Sequence, residues 1–311
     1  MKDRKFDVHQ PVLVDEVLES LEPKSGGVYA DFTLGAGGHA SAILEKSSPD
    51  GILLGLDQDP EILEIAKENL SPFGERVFFE QGNFAAAARI FAGHEGRVDG
   101  ILFDLGLSSL QLDRPERGFS IRKDGPLDMR MNPNSAVTAE DFVNRASRDE
   151  LMHAVGVLGE EPRAKAVVNA ILAERRKRPL LSTSDLRELI EGVYKRRGGK
   201  IHPATRAFQG VRMKVNEELN RLGGGLESAL RLLKDGGRLV VIAFHSGEDR
   251  IVKEFLKARK AAGDLAIIGG GIIKPTAAEV RRNRRSRSAR MRVARKGLFD
   301  EARGRSKRTP S

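Results

Sequence analysis

The sequence predicts an α/β fold with a mostly parallel sheet, because short apolar runs that end in an acid alternate with segments of helical apolar spacing. The first run, Val28–Asp31, leads into a glycine-rich turn at 35–38 and then into a helical pattern. A second run, 51–57, ends in Asp57, which is placed to accept the hydroxyls of a ribose. Since glycines let the backbone approach a ligand closely, these residues predict a site for a nucleotide-like cofactor.

The next elements continue this alternation. A short amphipathic helix at 14–21 is expected to cover the edge of the sheet. The helix after the second strand begins at Asp59-Pro60, which is a typical start signal. The apolar runs 77–81 and 98–104 predict the third and fourth strands, and the carboxyl ends of parallel strands hold ligands at one edge of the sheet.

A helical insertion is predicted to interrupt the sheet domain. From about residue 112 the alternation stops, and 117–131 is too rich in glycine and arginine for a regular element, which predicts a long functional loop. Helix start signals follow at Thr138, Ser147, Pro162 and Ser182. We therefore predict a first part of the sheet domain at 1–112, an all-helical insertion for substrate recognition at 113–200, and a second part of the sheet domain with a basic tail at 201–311.

The chain is predicted to return to the sheet after the insertion. A helix that starts near His202 is expected to end at the glycine run 223–225, and a second helix follows it. The apolar run 237–244 predicts another strand. Ser246 is typical of a helix N-cap, with substrate contact as the alternative, whereas His245 at the sheet edge is the stronger functional candidate.

The composition limits the function classes. Cysteine is absent, which excludes disulfide and thiolate chemistry, and the histidines lack ligand spacing, so no metal site is predicted. The N-terminus has charges where a signal peptide needs an apolar run, and a cytoplasmic protein is expected. The net charge of +9 is concentrated in 281–311, which holds 13 Lys or Arg and 2 Asp or Glu. Phosphate contact is favoured for 281–292, and a solvated, disordered tail is equally consistent with the last dozen residues.

The predicted cofactor site combines the glycine turn with residues at the sheet edge. Asp57 suits a ribose, Phe84 suits the face of an adenine, and Asp104 faces the expected reaction centre. The glycine spacing from Gly35 to Ala40 also fits a dinucleotide fingerprint. At this point a nicotinamide-dependent oxidoreductase and an S-adenosylmethionine-dependent enzyme are both open.

Longer motifs are similar to those of one protein family. They are Asp31-Phe-Thr-Leu-Gly-Ala-Gly-Gly-His39, Asp104-Leu-Gly-Leu-Ser-Ser109, Arg117-Gly-Phe-Ser120, Asp124-Gly-Pro-Leu-Asp-Met-Arg-Met131, His202-Pro-Ala-Thr-Arg206 and Phe244-His-Ser-Gly-Glu-Asp-Arg-Ile-Val-Lys253. From His9 to Lys253 the chain resembles the bacterial ribosomal RNA small subunit methyltransferase H family. The resemblance implies a Rossmann-like class I methyltransferase fold. It also implies methyl transfer from S-adenosylmethionine to the exocyclic N4 of a cytidine in the decoding region of small-subunit ribosomal RNA, as RNA or as the assembled subunit.

The resemblance also implies roles for individual residues. Together with the glycine turn, the expected cofactor contacts are Gly35, Gly37, Gly38, His39, Asp57, Phe84, Asp104 and Gln111. The chain departs from the family pattern in three places. Phe32 stands where the family usually has glycine, Gly247 stands where it has leucine, and Asn283 lacks the usual following proline.

Catalysis is expected to depend mainly on holding the cytosine amine in line with the methyl group. The amine is a poor nucleophile, because its lone pair is delocalised into the ring. The base is expected to leave its stack. Asp104 is the leading candidate to accept the amine proton, with binding of the cofactor's ammonium as its alternative role. Candidates for contact with RNA or the flipped base are Arg130, Arg206, His245 and Ser246. The alternative is an internal ion pair for the two arginines and His245, and the N-cap role for Ser246. A rival function is a non-enzymatic RNA-binding or ribosome-assembly factor, which the intact glycines and edge carboxylates disfavour.

Overall fold

The computed structural model describes residues 11–194 and 201–297, and the chain divides into two compact units. The first unit contains the described residues up to Gly106 and from Arg221 onward, and the second unit is Leu107–Asn220. Among the described residues, no helix is both long enough and apolar enough to cross a membrane. The sequence predictions for the N-terminus and for the end of the basic tail fall outside the described residues.

The first unit is built on a seven-stranded sheet with the order β3-β2-β1-β4-β5-β7-β6. The strands are β1 (Val28–Asp31), β2 (Ile52–Asp57), β3 (Val77–Gln81), β4 (Val98–Asp104), β5 (Leu233–Ala243), β6 (Leu265–Ile273) and β7 (Arg290–Lys296). Neighbouring strands from β3 to β5 are parallel, and β7 is antiparallel to both β5 and β6. The mostly parallel sheet predicted from the sequence is confirmed.

The last two strands have no counterpart in the sequence prediction. β7 lies within the basic segment, where arginines alternate with buried apolar residues such as Met291 and Val293. β6 carries three consecutive glycines, 269–271, at a register shift between Ile268 and Ile273. A basic run and a glycine run each obscure the alternation that identifies a strand, so the pattern was not recognised.

Helices flank the sheet and form the second unit. They are α1 (Val14–Leu21), α2 (Gly38–Lys46), α3 (Pro60–Leu70), α4 (Ala87–Ile90), α5 (Ser109–Asp113), α6 (Ala139–Arg145), α7 (Arg148–Met152), α8 (Ala164–Glu174), α9 (Thr183–Val193), α10 (Thr205–Val215), α11 (Glu218–Leu232), α12 (Ser246–Ala261) and α13 (Ala277–Arg282). The predicted start signal at Asp59 is confirmed, since its side chain accepts the N–H of Glu61 at 3.1 Å. The predicted caps at Thr138, Ser147 and Ser182 are confirmed as well.

The helix α11 runs through the glycine run, so the predicted helix end at 223–225 is wrong. Gly225 packs against Phe84 and Phe103, and a Cβ there would lie 2.6 Å from a ring carbon of Phe84. These glycines therefore allow the helix to approach the aromatic side chains of the sheet closely. The break lies earlier, next to Glu217, whose φ of +51° is left-handed.

The predicted N-cap at Ser246 is also wrong, because Ser246 is the first residue of α12 and His245 is the cap. The extended backbone continues through His245, whose φ is −139°, so the helix starts one residue later. His245 Nδ1 accepts the N–H of Glu248 at 3.3 Å. The Glu248 carboxylate in turn accepts the N–H groups of Phe244 and His245 at 2.8 and 3.3 Å.

Phe32, which departs from the family pattern, is a core residue. It is 2% exposed, its ring stacks on Phe91 at 6.2 Å between centroids, and it meets the edge of Phe103 at 5.2 Å. Phe103 also meets Phe84 at 5.7 Å. The substitution therefore enlarges an aromatic cluster beneath Phe84, one of the predicted cofactor contacts.

The second unit is helical and has its own apolar core. It extends beyond the predicted insertion 113–200 at both ends, because Leu112 and Phe208 pack with that core. The segment 118–138, which includes most of the predicted long loop, contains no helix or strand in the structure apart from one isolated bridge. The buried amide of Asn216 anchors this segment by accepting one backbone N–H at 2.7 Å and donating to a backbone carbonyl at 2.8 Å.

Removal of the Phe103 ring tests the aromatic cluster. Because this ring is fully buried, Phe103→Ala is expected to lower the free energy of unfolding by about 3 to 5 kcal/mol in urea denaturation. The control is Phe78→Ala on β3, where the side chain is 51% exposed, and it is expected to change stability by less than about 0.5 kcal/mol. Equal effects of the two substitutions would contradict the cluster's role in stability.

Candidate active site

Three acids lie at one edge of the sheet because three neighbouring parallel strands end there. Asp31, Asp57 and Asp104 are the last residues of β1, β2 and β4. In register, Asp31 pairs with Gly55 on one side and with Leu102 on the other, so the three strand ends are adjacent. The carboxyl edge of the first unit therefore carries a cluster of acids, as open parallel sheets do at their ligand sites.

The glycine turn after β1 is held against the end of β2. The Gly35 N–H donates to Asp57 Oδ2 at 2.9 Å. Gly37 is left-handed with a φ of +87°, and a Cβ there would lie 2.9 Å from Leu70 Cγ. Gly38 is the first residue of α2. The turn thus requires glycine at position 37 for both its conformation and its packing.

Asp57 is bound by backbone groups on both carboxylate oxygens. Its Oδ1 accepts the N–H of Asp59 at 3.0 Å, while Oδ2 accepts the N–H of Gly35. Burial raises the pKa of Asp57 to about 6 in spite of these bonds. Since each carboxylate oxygen can accept two hydrogen bonds, Asp57 retains the capacity to accept hydroxyl groups of a ligand.

A hydrogen-bonded chain connects Asp31 with Asp104 through Thr33. The Asp104 N–H donates to Thr33 Oγ1 at 2.6 Å, and that hydroxyl donates to Asp31 Oδ1 at 3.3 Å. The Thr33 N–H donates to the same oxygen at 3.0 Å. His39 Nε2 lies 3.5 Å from Asp104 Oδ2. Four side chains from two strand ends and α2 thus form one polar cluster, which we call the edge cluster.

The edge cluster holds its charges in an environment with little solvent. Burial raises the pKa of Asp31 to about 6, although His39 and the Thr33 N–H act in the opposite direction. Burial alone lowers the pKa of His39, but the carboxylates of Asp104 and Asp31 outweigh it, and the pKa is raised above the ordinary 6.5. This shift favours the charged imidazole, which compensates the neighbouring carboxylates.

Several buried atoms of the edge cluster have no hydrogen-bond partner among the described residues. They are His39 Nδ1, His39 Nε2 and Asp104 Oδ1. A buried polar group without a partner costs about 1 to 3 kcal/mol, and native structures contain few of them. These atoms are therefore available to form hydrogen bonds with polar groups of a ligand at this edge.

Phe84 lies beyond the end of β3 and is half-buried. Asn83 orients the turn before it, since its Oδ1 accepts the N–H of Ala85 at 3.0 Å and its amide donates to Gln58 Oε1 at 3.2 Å. The ring packs on Phe103. Phe84 thus combines support from the core with partial exposure, as a residue that contacts a planar ring requires.

His245, another predicted site residue of the first unit, is the N-cap of α12. Its Nδ1 serves the helix cap, and its Nε2 is buried without a hydrogen bond to any residue that the structure describes. Glu248 Oε1 lies 3.0 Å from this nitrogen. Ser246 belongs to the first turn of the same helix.

The remaining predicted site residues belong to the second unit. Gln111 forms a capping box with Ser108 at the start of α5. Arg130 makes a two-pronged ion pair with Asp128, at 2.8 and 2.7 Å, so the internal ion pair expected as an alternative is present. Arg206 is exposed and donates to a backbone carbonyl at 3.0 Å. Their roles in binding cofactor or RNA stay predictions.

Two members of the edge cluster, Asp31 and Thr33, were missed as site residues by the sequence reasoning. The sequence identifies Asp31 only as the acid that ends the first strand. That position at a strand end is the one signal in the sequence that points to it as a site residue. Thr33 gave no signal, because its role depends on the approach of the Asp104 backbone from β4. Contacts between residues so far apart in sequence are set by the register of the sheet.

The sheet order, the antiparallel β7, the glycine turn and the acids at the carboxyl edge define a Rossmann-like class I methyltransferase. The model of the MraW methylase family matches residues 7–297, and the chain belongs to this family. This membership confirms the prediction of an S-adenosylmethionine-dependent methyltransferase, whereas the nicotinamide-dependent alternative is disfavoured.

Similar proteins cover nearly the whole chain. A protein of Stenotrophomonas maltophilia, strain K279a, is 45% identical over 306 residues, which are 94% of this chain and 94% of that protein. A protein of Geobacter sulfurreducens is 47% identical over 308 residues, 93% of this chain and 98% of that protein. Both are named ribosomal RNA small subunit methyltransferase H.

The raised pKa of Asp31 predicts a pH-dependent effect of Asp31→Asn. In the folded protein this carboxyl has a pKa of about 6, above its ordinary 3.8, so ionisation costs stability as the pH rises between these values. The variant lacks this cost. Relative to the wild type, its free energy of unfolding should therefore increase by about 2 to 3 kcal/mol between about pH 4 and about pH 7 in urea denaturation.

Asp50→Asn is the control for this measurement. Asp50 is exposed, and the Ser25 hydroxyl and the Gly26 N–H hold its pKa below the ordinary value, so its titration lies below the pH range studied. Its stability difference from wild type should be constant over that range. A constant difference for Asp31→Asn as well would show that Asp31 is not the buried acid described.

Proposed function

We propose that this protein transfers a methyl group from S-adenosylmethionine to the exocyclic N4 of a cytidine in the decoding region of small-subunit ribosomal RNA. Two lines support the proposal: membership of a methylase family and the name shared by relatives that are aligned along nearly their whole length. The structural observation that carries it is Asp104, an acid at the carboxyl edge with one buried oxygen lacking a partner among the described residues.

The residues of the edge fit S-adenosylmethionine. Asp57 would accept the ribose hydroxyls, and the half-buried Phe84 would contact the adenine ring. The buried His39 Nδ1, which has no hydrogen-bond partner among the described residues, would bind the polar methionine end. The glycine turn at 35–38 would let the cofactor approach the backbone.

When bound, the cofactor supplies an electrophilic methyl group, so the protein's task is to place the amine and remove its proton. Methylation makes the amine acidic, and Asp104 Oδ1 is the acceptor that we assign to its proton. The raised pKa of His39 favours an imidazolium beside the same carboxylate, with Nε2 3.5 Å from Asp104 Oδ2. Thr33 fixes the position of Asp104 through its backbone N–H.

The RNA substrate is either the free small-subunit RNA or the assembled subunit, and such a substrate would locate the activity in the cytoplasm. The experiment offers each of them to the purified protein with labelled S-adenosylmethionine, using RNA and subunits that lack the modification. Digestion to nucleosides then identifies the labelled product. N4-methylcytidine is the expected product.

Two outcomes would contradict this function. Label on a different nucleoside would show that the target atom is wrong. Binding of the subunits without methyl transfer, together with no cofactor binding in calorimetry, would favour a non-enzymatic assembly factor. A transfer that occurs only with one of the two substrates would instead identify which of them is recognised.

Asp104→Asn tests the proposed proton acceptor. The amide retains the size of the side chain but is a far weaker base, so the rate of methyl transfer at saturating substrate should fall by roughly 10²-fold or more. The affinity for S-adenosylmethionine, measured by calorimetry, should change much less. Loss of cofactor binding with Asn would indicate that Asp104 binds the methionine end, and an unchanged rate would exclude both roles.

A matched control is available on the same strand. Asp99 lies near the start of β4, at the opposite edge of the sheet, where it accepts the N–H of Val28 at 2.9 Å and pairs with Lys234. Asp99→Asn should leave methyl transfer unchanged at a temperature at which the variant is folded. Equal losses in both variants would mean that the effect of Asp104→Asn is not specific to the site.

A further inference from the structure

A cluster of exposed arginines lies on the segment between β6 and β7. The stretch 274–288 contains six basic residues and one acid. The exposed arginines of this stretch, which we call the arginine surface, are Arg281, Arg282, Arg284, Arg285 and Arg287. Within the part of the chain that the structure describes, Arg281, Arg282, Arg284 and Arg287 form no ion pair or side-chain hydrogen bond. Their charges therefore face the solvent without compensation.

The acid of this stretch does not neutralise the arginines, because it anchors the segment. Glu279 accepts the N–H of Leu13 at 2.9 Å through Oε1. Further along, the hydroxyl of the fully buried Ser286 donates to the backbone carbonyl of Asn283 at 2.8 Å. The arginine surface is thus carried by a segment that Glu279 attaches to Leu13 and that Ser286 stabilises internally.

The next arginines in the sequence have a different role. Arg292 binds Asp249 through two hydrogen bonds of 2.7 and 3.2 Å, and Arg290 binds the same carboxylate at 3.3 Å. Although burial opposes ionisation of Asp249, these partners hold its pKa below the ordinary value. Arg290 and Arg292 therefore fasten β7 to α12, so the expected phosphate contact over 281–292 does not apply to them.

The arginine surface lies at the same sheet edge as the edge cluster. Arg290, the first residue of β7, pairs with Ala243, the last residue of β5, and Asp104 pairs with Ile242. The chain therefore enters β7 at the carboxyl edge. Since adjacent strands are about 4.8 Å apart, the start of β7 lies about 10 Å along that edge from the end of β4. Glu279 is also close enough to raise the pKa of His39.

Basic residues at the opposite edge of the sheet do not form a comparable surface. There, Lys234 pairs with Asp99, and Arg238 pairs with Glu22 at 2.5 Å while donating to the Ser20 carbonyl. These charges are compensated within the protein. The arginine surface beside the candidate active site thus carries a large uncompensated charge. Lys234 and Arg238 at the opposite edge carry no such charge, because each is paired with an acid.

We infer that the arginine surface binds the phosphate backbone of the RNA on the strand segments that flank the target nucleotide. The inference rests on the proposed function, since it assigns a binding surface to the same substrate. Guanidinium groups pair with phosphate oxygens and carry no base specificity, so the surface holds the RNA while the edge cluster acts on one base. Its contribution depends on salt, because each phosphate contact releases bound counterions.

The test compares full-length variants in binding to small ribosomal subunits that lack the modification. In Arg281→Ala/Arg284→Ala/Arg287→Ala, affinity at physiological salt should fall roughly 10- to 100-fold. The slope of log affinity against log salt should decrease by about two to three, since three phosphate contacts are removed. The corresponding triple lysine variant should recover most of the affinity, because lysine retains the charge.

A charge-matched control removes exposed lysines from the far ends of two helices. Lys46 is the last residue of α2, and Lys257 and Lys260 lie near the end of α12, all away from the carboxyl edge. Their triple alanine variant should bind like the wild type. Affinity for S-adenosylmethionine, and the transfer rate at saturating subunits, should be unchanged in every variant.

The outcomes separate this inference from the proposed function. Suppose that the wild type methylates the subunits and that the arginine variant binds them with the wild-type affinity and salt slope. The inference that the arginine surface binds RNA is then wrong, and the proposed function stands. Equal losses in the arginine and lysine-control variants would also overturn the surface, since any loss of charge would then suffice. If the wild type binds subunits without methylating them, the proposed function fails, and the binding data alone decide whether the surface is correct.

Discussion

The burial of carboxylates at a shared sheet edge is the constraint on which the rest of this structure depends. Parallel strands must end at the same edge, and β1, β2 and β4 each end there in an aspartate. Burial raises the pKa of Asp31 and of Asp57 to about 6, so the protein bears a cost for ionising them. Backbone N–H groups, Thr33 and the His39 imidazole offset part of that cost. The same arrangement leaves Asp104 with an oxygen that a substrate can use.

The charges of the first unit are arranged to serve this edge. Acids and one histidine are enclosed at the strand ends, whereas exposed arginines lie on the segment that leads into β7. The ion pairs that Asp249 forms with Arg290 and Arg292 link the two regions, because they attach β7 to α12, the helix that follows β5. Removing one partner of a buried ion pair of this type destabilises the fold by more than the intact pair stabilises it. It is therefore suited to fixing the position of the basic segment relative to the strand ends.

Much of this organisation was predictable from the sequence, and the remainder has physical reasons. Apolar runs ending in acids predicted the central strands, because strands buried on both faces need continuous apolar residues. The arginine-rich pattern of β7 concealed a strand whose alternate residues are buried, and Gly225 looked like a helix end although it serves close packing against Phe84. The site acids Asp57 and Asp104 were found from their positions at strand ends. Thr33 was not, because its contact with Asp104 exists only once the strands pair.

The most direct test of the central claim is a crystal structure of the protein with S-adenosylhomocysteine. The account predicts the ligand at the carboxyl edge, with its ribose hydroxyls within hydrogen-bond distance of Asp57 and its amino-acid end beside Asp104 and His39. Its adenine is expected to contact Phe84. A ligand bound elsewhere on the first unit, with Asp104 Oδ1 still lacking a partner, would contradict the assignment of the edge cluster as the methyl-transfer site.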